Sequence, residues 1–144
     1  MPVDGLPTTA NYEAASNRLT SIVPNATTGI NPANPNFDYD PAGNQTRVIQ
    51  SNGVAQRYCY DAAGRLAQVK ADDNTTLLAS YGYGASNQRL KQTEYVGGLP
   101  TTTCYAWAGD TIIGEYLDNG SALVWQKCYL YLGGRLLATQ TTST

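Results

Sequence analysis

A short segment that begins with tyrosine recurs along this 144-residue chain, and it constrains the fold more than any other feature. Three copies align closely, a fourth is recognisable and two are looser. In chain order they begin at Tyr12, Tyr39, Tyr60, Tyr83, Tyr105 and Tyr131, with spacings of 27, 21, 23, 22 and 26 residues. Recurrence at such spacing indicates a repeat array, and the length predicts one domain over residues 1–144.

Each copy contains the residue order of a tight turn. Asp40, Pro41 and Gly43 stand at the first, second and fourth positions of one turn, which is the order of type I. Residues 61–64 repeat it without proline, and asparagine replaces the glycine in other copies, as its tolerance of the left-handed conformation allows. The predicted turn-forming residues of the repeat are Tyr39, Asp40, Gly43, Tyr60, Asp61, Gly64, Tyr83, Asn87, Tyr105 and Gly109.

The segments between these turns alternate in side-chain character as strands do. A second set of turns separates the copies, at residues 51–53, 72–74, 97–98 and 118–120, and Asn-Gly in two of them is a strong hairpin signal. Both sets together predict an all-β fold of roughly a dozen strands, an antiparallel meander that forms a curved repeat sheet. Residues 24–35, with three prolines, are predicted to form an irregular loop.

The composition narrows the function. A net charge of -2, with 9 basic and 11 acidic residues dispersed along the chain, provides no positive field for nucleic acid. No apolar run is long enough for a membrane-spanning helix, and any export signal is expected to lie outside this chain. The chain has no histidine, so triads that need one are excluded, and we expect neither a metal nor a cofactor.

Carboxylate pairs are the remaining route to catalysis. The candidates are Asp38 with Asp40, Asp72 with Asp73, and Glu115 with Asp118. Several of these acids already have roles in the predicted turns, so we predict no catalytic residue and no enzyme.

Three cysteines each precede a tyrosine, at Cys59, Cys104 and Cys128. An odd number cannot pair completely within one chain. We expect three free thiols that pack as small apolar side chains, with a disulfide between chains as the alternative.

Aromatic and asparagine side chains suggest binding roles. Exposed rings can stack on sugars, and the candidates are Tyr58, Tyr81, Trp107, Trp125 and Tyr129. The alternative is that such rings form cross-strand ladders within the sheet. Four Asn-x-Ser/Thr sequences in predicted loops or turns are candidate glycan acceptors, at Asn25, Asn44, Asn74 and Asn119.

The repeated Tyr-Asp-x-x-Gly-Asn/Arg unit of residues 39–44 and 60–65 resembles the YD repeats of bacterial Rhs proteins and of animal teneurins. The resemblance covers residues 12–138, about six units, and residues 101–138 are similar to the closing repeats of such an array. It implies a β-shell wall in an exported or cell-surface protein, with a non-catalytic scaffold role. Carbohydrate binding through a Tyr/Trp row is the alternative function.

A meander that does not close leaves two edge strands, which can pair with other strands. The expected partners are therefore neighbouring repeats or copies of the chain itself, as a homo-oligomer or a filament. Glycans are the further expected partner.

Overall fold

The computed structural model describes residues 8–24, 37–49 and 53–142, and these form strands and turns without a helix. The twelve described strands are β1 (Thr8–Tyr12), β2 (Leu19–Pro24), β3 (Phe37–Tyr39), β4 (Gln45–Ile49), β5 (Ala55–Tyr60), β6 (Leu66–Ala71), β7 (Leu77–Tyr83), β8 (Arg89–Val96), β9 (Leu99–Ala108), β10 (Thr111–Asp118), β11 (Leu123–Leu132) and β12 (Arg135–Thr141).

The strands hydrogen-bond in chain order. β1 pairs with β2 in a two-stranded sheet, and β3 to β12 follow one another in a ten-stranded sheet. The predicted all-β antiparallel meander is confirmed. Pro24 is the last residue of β2, and residues 25–35 of the predicted loop lie outside the described part of the chain, as do residues 51 and 52 of one predicted turn.

The chain divides into two compact units. The first comprises Met1–Arg65 with Lys70–Thr76, and the second comprises Leu66–Val69 with Leu77–Thr144. The single domain over residues 1–144 stays a prediction.

The turns that follow the repeat tyrosines share one backbone pattern. The Asp40 N–H donates to the Asn44 carbonyl oxygen (2.9 Å), and the Gly43 N–H donates back to the Asp40 carbonyl oxygen (3.0 Å). The turns of residues 61–65 and 84–88 have the same two bonds, at 2.9 and 2.9 Å and at 2.9 and 3.2 Å. Gly43, Gly64 and Asn87 have φ of 94°, 75° and 63°, the left-handed values that close such a turn.

Apolar burial in the sheet is slight. Among the described residues the buried apolar side chains are Ala55, Val69 and Ala79, and Thr93 is the buried polar one. No large side chain in the described ranges is fully buried. Because burial of apolar area contributes little here, hydrogen bonds and half-buried tyrosines must define the alignment of the strands.

Candidate functional site

In three consecutive hairpins, the tyrosine before the turn binds the backbone of the preceding hairpin. The Tyr39 hydroxyl donates to the Leu19 carbonyl oxygen (2.9 Å). The Tyr60 hydroxyl donates to Gln45 O (2.8 Å), and the Tyr83 hydroxyl donates to Leu66 O (2.8 Å). These contacts join consecutive repeats, since each connects the second strand of one hairpin to the first strand of the next.

The acceptors occupy one fixed position. Each lies two residues after a left-handed residue, Asn17, Gly43 or Gly64. In the antiparallel pattern, hydrogen-bonded and non-hydrogen-bonded pairs alternate. Since Asp40 and Asn44 bond to each other, the neighbouring Tyr39–Gln45 pair does not, and the Gln45 carbonyl points away from β3. That carbonyl is therefore free for the tyrosine of the next repeat.

In the fifth hairpin, which β9 and β10 form, tryptophan provides the donor. The Trp107 indole N–H donates to the Arg89 carbonyl oxygen (3.0 Å), and Arg89 lies two residues after the left-handed Asn87. Sequence alignment placed Tyr105 at this position, but the Tyr105 hydroxyl donates to the Gln92 side chain (3.2 Å). The reason is a shorter turn, with two residues between the closing pair Ala108–Thr111 instead of three. The aromatic position next to the closing pair is therefore Trp107.

We call these four contacts the inter-repeat aromatic bonds: Tyr39–Leu19, Tyr60–Gln45, Tyr83–Leu66 and Trp107–Arg89. They give a physical reason for the excess of tyrosine, with 11 Tyr against 1 Phe, because phenylalanine has no hydroxyl to donate. Burial raises the pKa of Tyr60, which keeps its hydroxyl protonated as a donor.

The turn aspartates act as backbone acceptors. Asp40 accepts from the N–H and the side-chain amide of Asn44 (2.8 and 2.9 Å), and these bonds lower its pKa. Asp61 accepts from the N–H groups of Ala63 and Arg65 (2.9 and 3.0 Å) and from the Arg65 guanidinium (2.8 Å), and its pKa is lowered too. Both carboxylates therefore stabilise their turns in the ionised form.

Asp72 and Asp73, one of the candidate carboxylate pairs, lie in the turn between β6 and β7. Asp72 binds the Arg47 guanidinium (2.7 Å) and the Arg57 guanidinium (3.1 Å), and its pKa is lowered chiefly by Arg47. Asp73 accepts from the Thr76 hydroxyl (2.5 Å) and from the N–H groups of Thr75 and Thr76, which lowers its pKa to about 2. A general acid needs a raised pKa, so this pair does not suit acid–base catalysis.

The other candidate acids also have contacts. The Asp118 carboxylate accepts from the Gly120 N–H (2.9 Å). The Glu115 carboxylate accepts from the Tyr129 hydroxyl, and this bond raises the pKa of Tyr129 to about 12.

Two of the predicted stacking residues hold cations against their rings. The Arg89 guanidinium lies 5.4 Å from the centres of both the Tyr81 and Tyr105 rings. The Lys127 ammonium lies 5.0 Å from the ring centre of Tyr129. A sugar that stacked on the same face of either ring would have to displace the cation, so cation–π contact within the sheet already occupies these faces.

Trp107 lies at a surface groove of about 330 Å³. Its lining residues are Tyr83, Ser86, Asn87, Gln88, Arg89 and Trp107. Of the other two predicted stacking residues, Trp125 pairs with Tyr116 between β11 and β10, and Tyr58 is half-buried in β5. Neither residue lines the groove.

Three of the four candidate glycan acceptors are described, and Asn25 lies outside the described residues. The Asn44 side chain is bound to Asp40, whereas Asn74 is exposed in its turn with a φ of 60°. The Asn119 side-chain oxygen accepts from the N–H groups of Ser121 and Ala122 (3.0 and 2.8 Å). Their modification stays a prediction.

The cysteines Cys59, Cys104 and Cys128 are free and half-buried. The described ranges contain no cluster of three acidic, cysteine or histidine side chains that could hold a metal ion. Nor do these ranges contain a helix that is long and apolar enough to cross a membrane.

Comparison with protein-family models matches the RHS Repeat to residues 39–76. The matched stretch begins at Tyr39, contains the Tyr60 turn and ends at the turn of Asp73 and Thr76. A comparison with the curated proteins finds no match.

Proposed function

We propose that this chain, whose residues 39–76 match the RHS Repeat, is a non-catalytic structural module that forms a β-wall of an exported or cell-surface protein. The observation that carries this proposal is the recurrence of the inter-repeat aromatic bonds. A side chain that has the same structural role in successive repeats is typical of a scaffold rather than of a single catalytic centre.

The aromatic bonds fit this role because they define strand register. A slip of one residue would exchange the two faces of a strand, and a sheet with little apolar burial has few other means to prevent it. Each aromatic donor reaches a carbonyl at a fixed distance from the previous turn, so the four hairpins that begin with β3, β5, β7 and β9 are each aligned on the one before. Such alignment supports a wall extended repeat by repeat, and the typical extracellular or surface location of RHS-repeat proteins supports an exported role.

Substitution of one donor tests the proposal. We expect Tyr60→Phe to lower the free energy of unfolding by about 1 kcal/mol, since one partly buried hydrogen bond to Gln45 is lost while the ring remains. Tyr58→Phe is the matched control, because Tyr58 lies on the same strand and its hydroxyl has no hydrogen-bond partner among the described residues. Urea unfolding of the three proteins makes the measurement. Equal stability of the two variants would refute a register role for Tyr60.

Carbohydrate binding is the second candidate, and the groove at Trp107 is the observation that favours it. The groove combines an aromatic side chain with the polar side chains of Asn87, Gln88 and Arg89, which is the composition of many sugar sites. Titration with a panel of oligosaccharides should then change the fluorescence of the wild type and of Trp125→Phe, but not that of Trp107→Phe. No response from any of the three proteins would exclude this function.

A further inference from the structure

Strand β12 has the properties of a vacant pairing edge. All its residues are exposed, and among the described strands it pairs only with β11. Proteins commonly protect such edges with proline or charge, but apart from Arg135 at its start β12 consists of Leu, Ala, Thr and Gln. Leu136 and Leu137 are 53% and 63% exposed.

Comparison with the inter-repeat aromatic bonds shows that this edge has an acceptor carbonyl without its aromatic donor among the described residues. In each of the four bonds the acceptor carbonyl belongs to the same position of a hairpin, one pair inside the pair that closes the turn. Leu19 has this position opposite Tyr12, and Gln45 has it opposite Tyr39. Leu136 has the same position in the sixth hairpin, since it pairs with Tyr131 one pair inside the turn-closing Leu132–Arg135. The Leu136 carbonyl therefore points to the free edge and suits an aromatic donor.

Tyr12 is the complementary donor. It is the aromatic residue of the first hairpin, at the end of β1, and it is 58% exposed. Its hydroxyl has no hydrogen-bond partner within the described residues, whereas those of Tyr39, Tyr60 and Tyr83 do. One copy of the chain thus has a carbonyl acceptor on β12 and an aromatic donor, Tyr12, on β1.

We propose that β12 of one copy pairs with β1 of a second copy, and that the second copy's Tyr12 hydroxyl donates to the first copy's Leu136 carbonyl. This rests on the proposed scaffold role and specifies its partner as the chain itself, head to tail. The contact repeats between copies the aromatic bond that joins each of the first four pairs of consecutive hairpins within one copy.

The described junctions also define the register. Arg47 pairs with Arg57 at the Tyr60–Gln45 bond, and Lys91 pairs with Cys104 at the Trp107–Arg89 bond. In both, the donor lies three residues after the paired residue of its own strand. The acceptor lies two residues before the paired residue of the preceding strand. The same offsets place Thr9 of the second copy opposite Ala138. Ala10 then lies opposite the exposed Leu137, and no like charges face each other.

Edge-blocking variants test the proposal. The Thr142 N–H donates to Gln126 O, so by alternation the N–H groups of Gln140 and Ala138 face β11 and that of Thr139 faces the free edge. Thr139→Pro should therefore block β12 without loss of a ladder bond. The Glu13 N–H bonds to Arg18 O, which by the same alternation turns the Ala10 N–H outward, so Ala10→Pro should block β1.

Analytical ultracentrifugation of the full chain should give concentration-dependent association of the wild type. Each proline variant alone should be a monomer, and a 1:1 mixture should give a dimer and no larger species. If either variant alone forms a dimer, the pairing joins like edges and the proposal is wrong. A wild type that is a monomer at every concentration, or a mixture that does not associate, also overturns it.

A third variant covers a failure of Ala10→Pro to fold. Tyr12→Phe keeps the backbone edge and should raise the dissociation constant of the head-to-tail contact about fivefold. Tyr58→Phe should leave that constant unchanged. Equal constants for the two variants would remove Tyr12 from the contact. Failure here is distinct from failure of the scaffold role, which is measured by the unfolding of Tyr60→Phe in dilute solution.

Discussion

At the scale of the residue, the left-handed positions of the turns depend on backbone conformation rather than on contacts. Gly64 has a φ of 75°, and a Cβ added there would meet no atom within 4 Å. A larger residue at this position is therefore penalised by its own backbone and not by a clash.

We expect Gly64→Ala to lower the free energy of unfolding by about 1–2 kcal/mol, the cost of a left-handed alanine. Gly82→Ala is the control, since Gly82 lies in β7 without a left-handed φ and its added Cβ would make an ordinary 3.6 Å contact with Lys91. That variant should have unchanged or increased stability, because alanine loses less backbone entropy than glycine on folding. Thermal unfolding compares the two. A greater loss for Gly82→Ala would contradict the assignment.

The turn carboxylates predict a loss of stability in acid. The pKa of Asp73 falls from 3.8 to about 2 on folding, because its carboxylate accepts bonds from Thr75 and Thr76. A group with a lowered pKa contributes stability above its unfolded pKa, and that contribution disappears as the pH falls through the folded value. The melting temperature should therefore decrease between about pH 4 and pH 2.

Asp73→Asn should have a lower melting temperature than the wild type at pH 6 and a flatter dependence on pH below 4. Asp110→Asn removes a charge from an exposed side chain that has no hydrogen-bond partner among the described residues, and it serves as the control. Parallel pH profiles for the wild type and Asp73→Asn would show that the Thr75 and Thr76 bonds contribute nothing.

At the scale of the element, side chains rather than a ladder connect β2 to β3. The Tyr39 hydroxyl binds Leu19 O, and the Arg18 guanidinium binds Asp40 O (3.2 Å) and lies 5.7 Å from the Tyr39 ring centre. Tyr39→Phe should therefore loosen the β1–β2 hairpin by about 1 kcal/mol, or about fivefold in its opening equilibrium. Hydrogen exchange should accelerate at the amides of β1 and β2 but not at those paired between β4 and β5. Uniform acceleration would mean that the hairpin has no separate stability.

The strand order also determines the state of two thiols. Cys104 lies on β9 and Cys128 on β11, with β10 between them, so their Cα atoms are about 10 Å apart or more. A disulfide needs less than about 7 Å. Under mild oxidation a Cys59→Ser variant should give two titratable thiols or disulfide-linked dimers on a non-reducing gel. An internally bonded, faster-migrating monomer would contradict the order of these strands.

At the scale of the whole molecule, the sequence predicted what is locally encoded. Gly43, Asn87 and the strands between the turns follow from steric preference and alternation, which a few neighbouring residues determine. The partners of the tyrosines did not follow, because the acceptors at Leu19 and Gln45 are backbone carbonyls that leave no signature in side-chain identity.

Trp107 could have been found from the sequence by one rule. Counting outward from the turn-closing pair, rather than aligning tyrosines, places the aromatic residue of the fifth hairpin at Trp107 and not at Tyr105. That rule depends on turn length, which the two-residue turn after Ala108 changes. The orientation of a donor relative to the preceding hairpin is set by register across strands, and register requires the structure.

The chain should behave as an array of coupled neighbours, in which stability is the sum of terms within hairpins and between adjacent ones. Consecutive aromatic bonds are linked through one cross-strand pair: Gln45, which accepts from Tyr60, pairs with Tyr39. The bonds of Tyr39 and Tyr83 have no such link, since Tyr83 donates to Leu66 and the cross-strand partner of Tyr39 is Gln45. Coupling should therefore depend on adjacency in the repeat order.

Double-mutant cycles with phenylalanine measure this coupling. Tyr39→Phe and Tyr83→Phe should add to about 2 kcal/mol, within about 0.5 kcal/mol of the sum of the single effects, because independent sites are additive. Tyr39→Phe and Tyr60→Phe should deviate from additivity by more than about 0.5 kcal/mol, since a shift of Gln45 after the first substitution alters the acceptor of the second. Urea unfolding at constant m-value gives both quantities. If both pairs were equally coupled, stability would be shared across the sheet, and the neighbour-by-neighbour wall that the aromatic bonds imply would be wrong.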